Sequence, residues 1–289
     1  MLSWKVKNRS IPLSERTLVM GILNITPDSF SDGAEFFNAS SALTHADKMI
    51  ADGADIIDVG GESTRPGSEP VSADEELQRV IPIIESLSSR HDVPISIDTT
   101  KSEVAKAALN AGASIVNDIS ALRFDFFIAD VAVEADAGLV LMHSRGTPGT
   151  MHRLTPVADI VQEVTSSLGA SLKMAERRGV QRESIIIDPG IGFGKTQDQN
   201  LELIAKLPKL KEAFPDLPIL IGTSRKSFIG RLLAEREEEV VPVAERFHGT
   251  MASVAIAVFQ GAQVVRVHDV KAAVETVRIA DAIKKARNI

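Results

Sequence analysis

The sequence predicts an α/β fold, namely a single (β/α)8 barrel preceded by a short N-terminal hairpin. In a chain of 289 residues, eight short apolar segments are each followed by a loop and a helical segment. These segments are apolar without alternation, which is typical of strands buried on both faces of a parallel sheet. Eight such units over roughly 250 residues are the expected size of a closed barrel. An open doubly wound sheet is the alternative, and the count of eight favours the barrel.

The hairpin is predicted within residues 1–16, where a weak alternation surrounds a turn at Asn8-Arg9-Ser10. Residues 1–289 are expected to form one domain. The barrel strands are predicted, in order, at Thr17–Asn24, Asp55–Gly61, Pro94–Thr99, Ser114–Ile119, Leu139–His143, Ile185–Asp188, Pro218–Ser224 and Val264–Asp269.

Signals for helix ends lie between these strands. Ser72 with Glu75 has the spacing of a capping box, and Thr100 with Glu103 is predicted to cap the next helix. A helix-ending glycine also stands just before three of the strands. The repeated joint Gly-Ala-polar occurs at Gly53-Ala54-Asp55, Gly112-Ala113-Ser114 and Gly261-Ala262-Gln263.

Composition excludes several classes of function. The net charge of −7 and an aromatic content of 4% disfavour nucleic-acid binding, which needs basic surface or stacking platforms. The chain has no cysteine, so a thiolate nucleophile and Cys-ligated zinc are excluded, and a reducing cytoplasm suits it. No run of 18 apolar residues and no secretory signal is recognised, so no membrane association is expected.

Polar side chains stand at the ends of nearly all the predicted strands. In a barrel of this kind the C-terminal ends of the strands meet at one mouth, where the chemistry takes place. So many hydrogen-bonding groups at one mouth indicate a site. They are Asn24, Asp58, Asp98, Asn117, His143, Asp188, Ser224 and the pair Arg266 and His268.

Two groups within this set suit different parts of a ligand. Asp98, Asn117 and Asp188, joined by Lys226, offer acceptors and donors for a flat heterocycle with ring N–H, amino and carbonyl groups. Arg266 and His268 lie two apart on a strand and therefore face the same side. Together they suit a phosphate, since arginine binds phosphate in a bidentate manner.

Two strand-end residues have alternative interpretations. Asp58 precedes the apolar Val59, which favours a hydrogen bond or ion pair inside the barrel over contact with a ligand. His143 is compatible with packing and with a site in equal measure. The long loops 26–38 and 62–70 are interpreted either as lids that order over a substrate or as solvent-exposed turns.

The glycine-rich stretch Gly190–Thr196 superficially resembles a phosphate-binding Walker A loop. The Walker pattern requires glycine where this sequence has Pro189. The dinucleotide pattern G-x-G-x-x-G also fails, because the third glycine comes one residue early. We therefore predict no nucleoside triphosphate site in this loop.

Several motifs resemble those of the dihydropteroate synthase family, in the same order from about residue 17 to the end. The stretches Met20–Gly33 and Asp58–Gly67 resemble its two signatures. The remaining matches are Ile97-Asp98-Thr99, Asn117-Asp118, Asp188–Lys195, Ser224-Arg225-Lys226-Ser227 and Arg266–Val270.

The resemblance implies a TIM-barrel transferase of folate biosynthesis. Such an enzyme condenses 4-aminobenzoate with (7,8-dihydropterin-6-yl)methyl diphosphate, giving 7,8-dihydropteroate and pyrophosphate. It also implies Mg²⁺ as cofactor, a homodimer and a cytoplasmic location. Departures occur at Ser144, where relatives often have methionine, and in residues 121–127 and 235–239.

Residue roles follow by the same resemblance. The residues expected to act in catalysis are Asp98, Lys226, Arg65 and Asp32. Those expected to hold the pterin are Asp98, Asn117, Asp188 and Lys226. The diphosphate is expected at Thr64, Arg266 and His268, and Mg²⁺ at Asn24. The 4-aminobenzoate site is expected to involve Phe30, Arg65, Pro66, Phe193, Lys226 and Ser227.

Two other functions remain open from the sequence. One is a pterin-binding module of a corrinoid-dependent methyltransferase, which shares the strand-end acids. Such a module has no need of the Thr64-Arg65-Pro66 stretch or of Arg266 with His268. The other is a paralogue that binds pterin without catalysis, which the presence of each expected ligand residue disfavours.

Overall fold

The structure is a computed structural model that describes residues 2–26, 35–63, 68–147, 149–151, 154, 156–236 and 239–286. The strands are β1 (Ser3–Val6), β2 (Arg9–Pro12), β3 (Leu18–Asn24), β4 (Ile56–Gly60), β5 (Ile95–Asp98), β6 (Ile115–Asp118), β7 (Gly138–Met142), β8 (Ile185–Asp188), β9 (Leu220–Ile221) and β10 (Val264–Val267). The helices are α1 (Glu35–Ala51), α2 (Ala73–Arg90), α3 (Ser102–Asn110), α4 (Phe127–Glu134), α5 (Ile160–Arg177), α6 (Gln197–Ala205), α7 (Leu207–Ala213), α8 (Ser227–Leu232), α9 (Phe247–Gln260) and α10 (Val270–Ala286).

Eight parallel strands form the barrel, in the order β8-β7-β6-β5-β4-β3-β10-β9. The two ends of this order meet at a parallel bridge between Ile187 of β8 and Ile219, which directly precedes β9. The Ile187 N–H also donates to the carbonyl of Pro218 at 3.1 Å. The predicted (β/α)8 barrel is therefore confirmed, and the open doubly wound sheet is excluded.

The outer face of the sheet packs against the helices. On β4, for example, Ile57 and Val59 belong to the same buried cluster as Val80, Ile84 and Leu87 of α2. The apolar residues of α2 recur at helical spacing, and its buried residues are Val80, Ile83, Ile84 and Leu87 together with one acid, Glu76. Within the described residues, no helix is long and apolar enough to cross a membrane.

The N-terminal hairpin closes the base of the barrel, where its apolar side chains share a buried cluster with the inner residues of the strands. Antiparallel β1 and β2 pair from Ser3 with Pro12 to Val6 with Arg9. The fully buried Trp4 packs under the strands, and its Nε1–H donates to the carbonyl of Ser184 at 2.8 Å. The hairpin predicted within residues 1–16 is confirmed, and it serves as a plug.

The helix-end predictions are partly confirmed. Gly53, Gly112 and Gly261 adopt left-handed φ values of +100°, +118° and +116°, as expected for helix-ending glycines. Ser72 is the N-cap of α2, and its side chain accepts a hydrogen bond from the Glu75 N–H at 3.2 Å.

The predicted cap at Thr100 is wrong, because Lys101 is the N-cap of α3 and makes no side-chain capping bond. The N–H of Ser102 is instead bound by the carboxylate of Asp125, at 2.8 Å, so a neighbouring loop replaces the local cap.

Two predicted boundaries also differ from the structure. The strand predicted over Pro218–Ser224 is reduced to β9. At its start, the N–H of Ile219 is bound at 2.8 Å by the Gln263 side chain and not by a backbone carbonyl. The loop predicted over residues 26–38 overlaps α1, which begins at Glu35.

Candidate active site

The side chains that line the barrel change from apolar to polar along several of the strands. Ile56, Ile115 and Ile186 belong to the cluster inside the base. Side chains two residues apart on a strand face the same side. Asp58, Asn117 and Asp188 therefore follow on the inner face, one step nearer the mouth. On β10, Arg266 follows Val264 in the same way.

Arg266 lies at the mouth, where it forms ion pairs with two carboxylates from neighbouring strands. Its Nε donates to Asp58 Oδ2 at 2.5 Å, and its Nη2 donates to Asp98 Oδ2 at 2.6 Å. Asn117 Nδ2 donates to the same Asp58 oxygen at 3.1 Å. Burial opposes the charged form of Arg266, but Asp58 and Asp98 outweigh it and raise the pKa of the guanidinium.

Asp58 is fully buried, and both of these contacts lie inside the barrel. The internal ion pair that the sequence favoured for Asp58 is thus what the structure contains. Its other oxygen, Oδ1, has no hydrogen-bond partner in the described part of the chain. Asp58 orients Arg266 from below, while Asp98 faces it from the rim.

Buried ionisable groups at the mouth have pKa values close to neutral. Burial raises the pKa of Asp98 to about 7, although the charge of Arg266 opposes this. Burial raises the pKa of Asp188 to about 6. The N–H of Gly190, which donates to Asp188 Oδ1 at 2.6 Å, partly offsets this rise. Burial, together with the charge of Arg266, lowers the pKa of Lys226 to about 8. Strongly perturbed groups gathered in one recess are typical of functional sites.

On the far rim, Lys226 and Phe193 are in contact. The Lys226 ammonium lies 4.1 Å from the centre of the Phe193 ring, at the distance of a cation–π interaction. Lys226 is the N-cap of α8, and the exposed Ser227 is the first residue of that helix. This part of the rim therefore presents an aromatic face, a cation and a hydroxyl side by side.

His268 follows β10 and contacts Ser224 rather than Arg266 in the described geometry. The Ser224 hydroxyl and His268 Nδ1 are 2.9 Å apart, and the same hydroxyl accepts the backbone N–H of His268 at 3.2 Å. Asn24, at the end of β3, is half-buried. Its side-chain oxygen and Asp98 Oδ2 flank Gly60, where an added Cβ would lie 3.7 Å and 3.8 Å from them.

His143 lies beneath this rim as a buried imidazole. Burial, followed by the charges of Lys195, Arg123 and Arg145, lowers its pKa to about 2, so the ring is neutral at physiological pH. Its Nδ1 has no hydrogen-bond partner among the described atoms. The two interpretations of His143, packing and site, both stay open.

Comparison with known proteins identifies the chain's relatives. The profile of the pterin binding enzyme family matches residues 20–268. The dihydropteroate synthase of Synechocystis is 50% identical over 269 residues, which cover 93% of this chain and 91% of the relative. The chain belongs to the dihydropteroate synthase family.

Solved structures of dihydropteroate synthases have the same fold. The Clostridium difficile enzyme, solved in the presence of pteroic acid, is 45% identical with a TM-score of 0.86, and the match covers 93% of this chain and 97% of that one. The Xanthomonas albilineans enzyme with 4-aminobenzoic acid is 39% identical with a TM-score of 0.87, covering 97% and 98%. The family resemblance drawn from the sequence motifs is confirmed.

Within this dihydropteroate synthase family member, five of the expected site residues lie outside the described residues. They are Phe30, Asp32, Thr64, Arg65 and Pro66. The structure brings the other expected residues together at the mouth: Asn24, Asp98, Asn117, Asp188, Phe193, Lys226, Ser227, Arg266 and His268.

One charged cluster of this family member was missed by the sequence reasoning. Lys101 Nζ donates to Glu62 Oε2 at 2.5 Å and to Glu76 Oε2 at 2.6 Å, and Glu76 is fully buried. Burial raises the pKa of Glu76, with Lys101 opposing it. The available signal was that Glu76 stands four residues before Val80, on the apolar stripe of α2.

This cluster joins the ends of the second signature loop. Glu62 stands directly before the segment 63–67, and its Oε1 accepts the N–H of Val71 at 3.4 Å. The guanidinium of Arg79 donates to the carbonyl of Gly61 at 2.6 Å. Both described ends of the loop are thereby fixed to α2 and to the loop after β5.

Proposed function

We propose that this protein condenses 4-aminobenzoate with (7,8-dihydropterin-6-yl)methyl diphosphate, giving 7,8-dihydropteroate and pyrophosphate in folate biosynthesis. The observation that carries the proposal is the mouth itself. Asp98, Asn117, Asp188 and Lys226 surround one recess whose ionisable groups titrate near neutral pH. The chain is also 50% identical over 269 residues to the dihydropteroate synthase of Synechocystis.

The pterin is proposed to bind between Asp188, Asn117 and Asp98. Carboxylate oxygens accept the N–H and amino groups of the heterocycle, and charged hydrogen bonds of this kind each contribute about 1.5–3 kcal/mol. Burial raises the pKa values of Asp98 and Asp188, so N–H donors of a pterin would favour their charged forms. Lys226 donates from the opposite rim.

The diphosphate is proposed to lie against Arg266 and His268, and the family resemblance assigns Thr64 to the same subsite. The charge of Arg266 is maintained by Asp58 and Asp98, so it remains a cation when the leaving group arrives. Its remaining donor capacity suits a phosphate oxygen, since a guanidinium has five N–H groups.

Asn24 is proposed to hold Mg²⁺ through its side-chain oxygen. The described residues contain no cluster of three His, Cys, Asp or Glu side chains that could hold a metal alone. This fits Mg²⁺, which commonly takes few protein ligands and completes its shell with water and substrate phosphates. When bound, the ion supplies positive charge that stabilises the departing diphosphate.

The reaction breaks the bond between the pterin methylene carbon and a diphosphate oxygen, which leaves with the electron pair. The aniline nitrogen of 4-aminobenzoate forms the new bond to that carbon and loses a proton. Arg266 stabilises the negative leaving group, and the carboxylate of Asp98 stabilises positive charge on the pterin side. A protein nucleophile is not required. Asp32 and Arg65 are proposed to complete the catalytic set.

The 4-aminobenzoate ring is proposed to pack against Phe193, next to Lys226 and Ser227. Phe30, Arg65 and Pro66 are assigned to the same subsite. The aromatic face of Phe193 and the ammonium of Lys226 are suited to an aromatic acid, because one packs on the ring and the other attracts the carboxylate.

A product assay tests the proposed activity. The purified protein is incubated with Mg²⁺, the pterin diphosphate and labelled 4-aminobenzoate, and we expect labelled dihydropteroate that disappears when EDTA is added. Failure to form product where a reference dihydropteroate synthase succeeds would contradict the proposal. Pterin binding without product would instead indicate a non-catalytic paralogue or a methyltransferase module.

We further propose a homodimer, and a cytoplasmic location. Ile256 of α9 and Ile279 and Ile283 of α10 expose more than half of their surface on adjacent helices. Exposed apolar patches of this kind commonly mark interaction surfaces, and two-fold dimers are the commonest oligomers.

The dimer surface is tested by light scattering. Ile279→Glu is expected to convert a dimer to a monomer, while Met174→Glu on α5 leaves the mass unchanged. A wild-type monomer at micromolar concentration would contradict the dimer.

A further inference from the structure

The loop between β8 and α6 directs its carbonyl oxygens at a lysine. Lys195 Nζ donates to the carbonyls of Gly190 at 2.8 Å, Phe193 at 3.2 Å and His143 at 3.3 Å. An ammonium has three N–H donors and no acceptor, so three carbonyls match it fully. Phosphate loops do the opposite and direct N–H groups inward. The glycine-rich loop therefore surrounds a cation that belongs to the chain itself.

Two glycines allow this loop to approach β7 closely. Gly190 and Gly194 have φ values of +68° and +69°. A Cβ added at Gly190 would lie 1.8 Å from the carbonyl oxygen of His143, and one at Gly194 would lie 2.6 Å from that of Arg145. No side chain fits at either position, so the loop lies directly on the end of β7. The ammonium of Lys195 then binds the two segments together.

The same loop carries Phe193 to the rim of the mouth. The Phe193 carbonyl accepts from Lys195, and the Phe193 ring faces the ammonium of Lys226 at 4.1 Å. Gly192, the preceding residue, donates its N–H to Asn200 Oδ1 at 2.6 Å. The position of the Phe193 ring is thus fixed from within the loop by Lys195 and from α6 by Asn200.

We propose that Lys195 is a positioning residue for the second substrate: it holds the loop so that Phe193 and Lys226 form the 4-aminobenzoate subsite. This inference rests on the proposed function. Asp188 touches the loop through the N–H of Gly190, but Asp98 and Asn117 lie on β5 and β6, so we expect the pterin subsite to depend less on Lys195 than the 4-aminobenzoate subsite does.

The electrostatic surroundings of Lys195 agree with this role. Burial lowers the pKa of Lys195 to about 7, with Asp188 opposing it and Lys226, Arg145 and Arg123 adding to it. A cation held among three other cations is unfavourable, and the three carbonyls offset that cost.

Steady-state kinetics of Lys195→Met tests the inference. Methionine keeps the unbranched stem of the side chain and removes the ammonium. We expect the KM for 4-aminobenzoate to rise by about tenfold, from the loss of charged hydrogen bonds, while the KM for the pterin diphosphate changes by less than about threefold. Lys195→Arg keeps a cation and is expected to recover part of the loss. Lys209→Met, on the exposed surface of α7, is the matched control and is expected to behave as wild type.

Two results would overturn the inference. One is an unchanged KM for 4-aminobenzoate in Lys195→Met. The other is an equal loss for both substrates, because a purely structural lysine would affect the two subsites alike. A wild-type enzyme without any product would instead overturn the proposed function, so the two failures are distinguishable.

A double-mutant cycle keeps the inference testable if Lys195→Met folds poorly. Phe193→Leu removes the ring at the other end of the same link. If Lys195 acts through Phe193, the double variant is expected to raise the KM for 4-aminobenzoate no more than the worse single variant. Multiplied effects in the double variant would contradict the link.

Discussion

The two ends of this barrel are built from the same strands but from opposite kinds of residue. At the base, Met20, Ile56 and Ile186 belong to the same buried cluster as Trp4 of the hairpin. At the mouth, the same inner face carries Asp58, Asp188 and their neighbours, in sequence positions two residues later. Because side chains two residues apart on a strand face the same side, the inner face changes from apolar at the base to charged at the mouth within two residues.

Residues that stabilise the barrel and residues proposed to bind substrate thus lie at opposite ends of the strands. The base contributes apolar burial and has few polar groups to satisfy. The mouth buries acids such as Asp98 and Asp188, whose raised pKa values show that their charged forms are disfavoured there. The barrel therefore tolerates an unfavourable mouth because its base and outer helices supply the stability.

Removing the plug should have the largest effect. Trp4→Ala is expected to lower the free energy of unfolding by about 3–5 kcal/mol, since it leaves a cavity and loses the hydrogen bond to Ser184. Urea unfolding followed by circular dichroism measures the loss. The kcat/KM of the folded variant at low temperature should stay near wild type. A parallel fall in kcat/KM would show that the two ends are coupled.

At the mouth, a change that stabilises should also inactivate. Asp188→Asn keeps an acceptor for the Gly190 N–H but removes a buried charge. We expect kcat/KM to fall by about 100-fold or more, from the loss of charged hydrogen bonds to the pterin. Calorimetry with pterin should find the matching loss of affinity. Retained affinity would remove Asp188 from the pterin subsite.

The same variant makes a prediction about pH. The folded-state pKa of Asp188 is raised from 3.8 to about 6, so ionisation destabilises the wild type as the pH rises through this interval. Asp188→Asn should therefore match the wild type below pH 4 and gain stability up to about pH 7. Above that, the gain is expected to be constant at about 1–3 kcal/mol. Urea unfolding across this range measures it, and a gain that shrinks with rising pH would contradict the assignment.

A smaller loss of stability is expected when a methyl group is added to the closely packed base. A Cβ at Gly138 would lie 2.9 Å from both Trp4 Cζ2 and Val6 Cγ2. Gly138→Ala should therefore cost about 1–3 kcal/mol in unfolding free energy through overpacking. In Gly169→Ala, within α5, the nearest atom lies 3.9 Å away, so this control should be neutral or stabilising by up to about 1 kcal/mol. Equal effects in both variants would argue against close packing at the plug.

Much of the fold could be predicted from local patterns. Buried strands are apolar runs, and helix-ending glycines such as Gly53 require a left-handed backbone that local sequence reveals. The failures came where a distant group replaced a local one. Asp125 took the place of a cap at Thr100, and the Gln263 side chain took the N–H of Ile219 just before β9.

The sequence by itself determined the barrel, the family and the set of strand-end residues, because these depend on periodicity and on motifs of adjacent residues. Only the tertiary structure decided how that set is partnered. Arg266 binds Asp58 and Asp98, which come from strands far away in the chain. For the glycine-rich loop, the sequence spacing excluded a phosphate site, and only the structure places the Lys195 ammonium inside it. Hydrogen bonds and charge interactions depend on distances of a few ångströms, and in a closed barrel those distances are set by strands that meet only after folding.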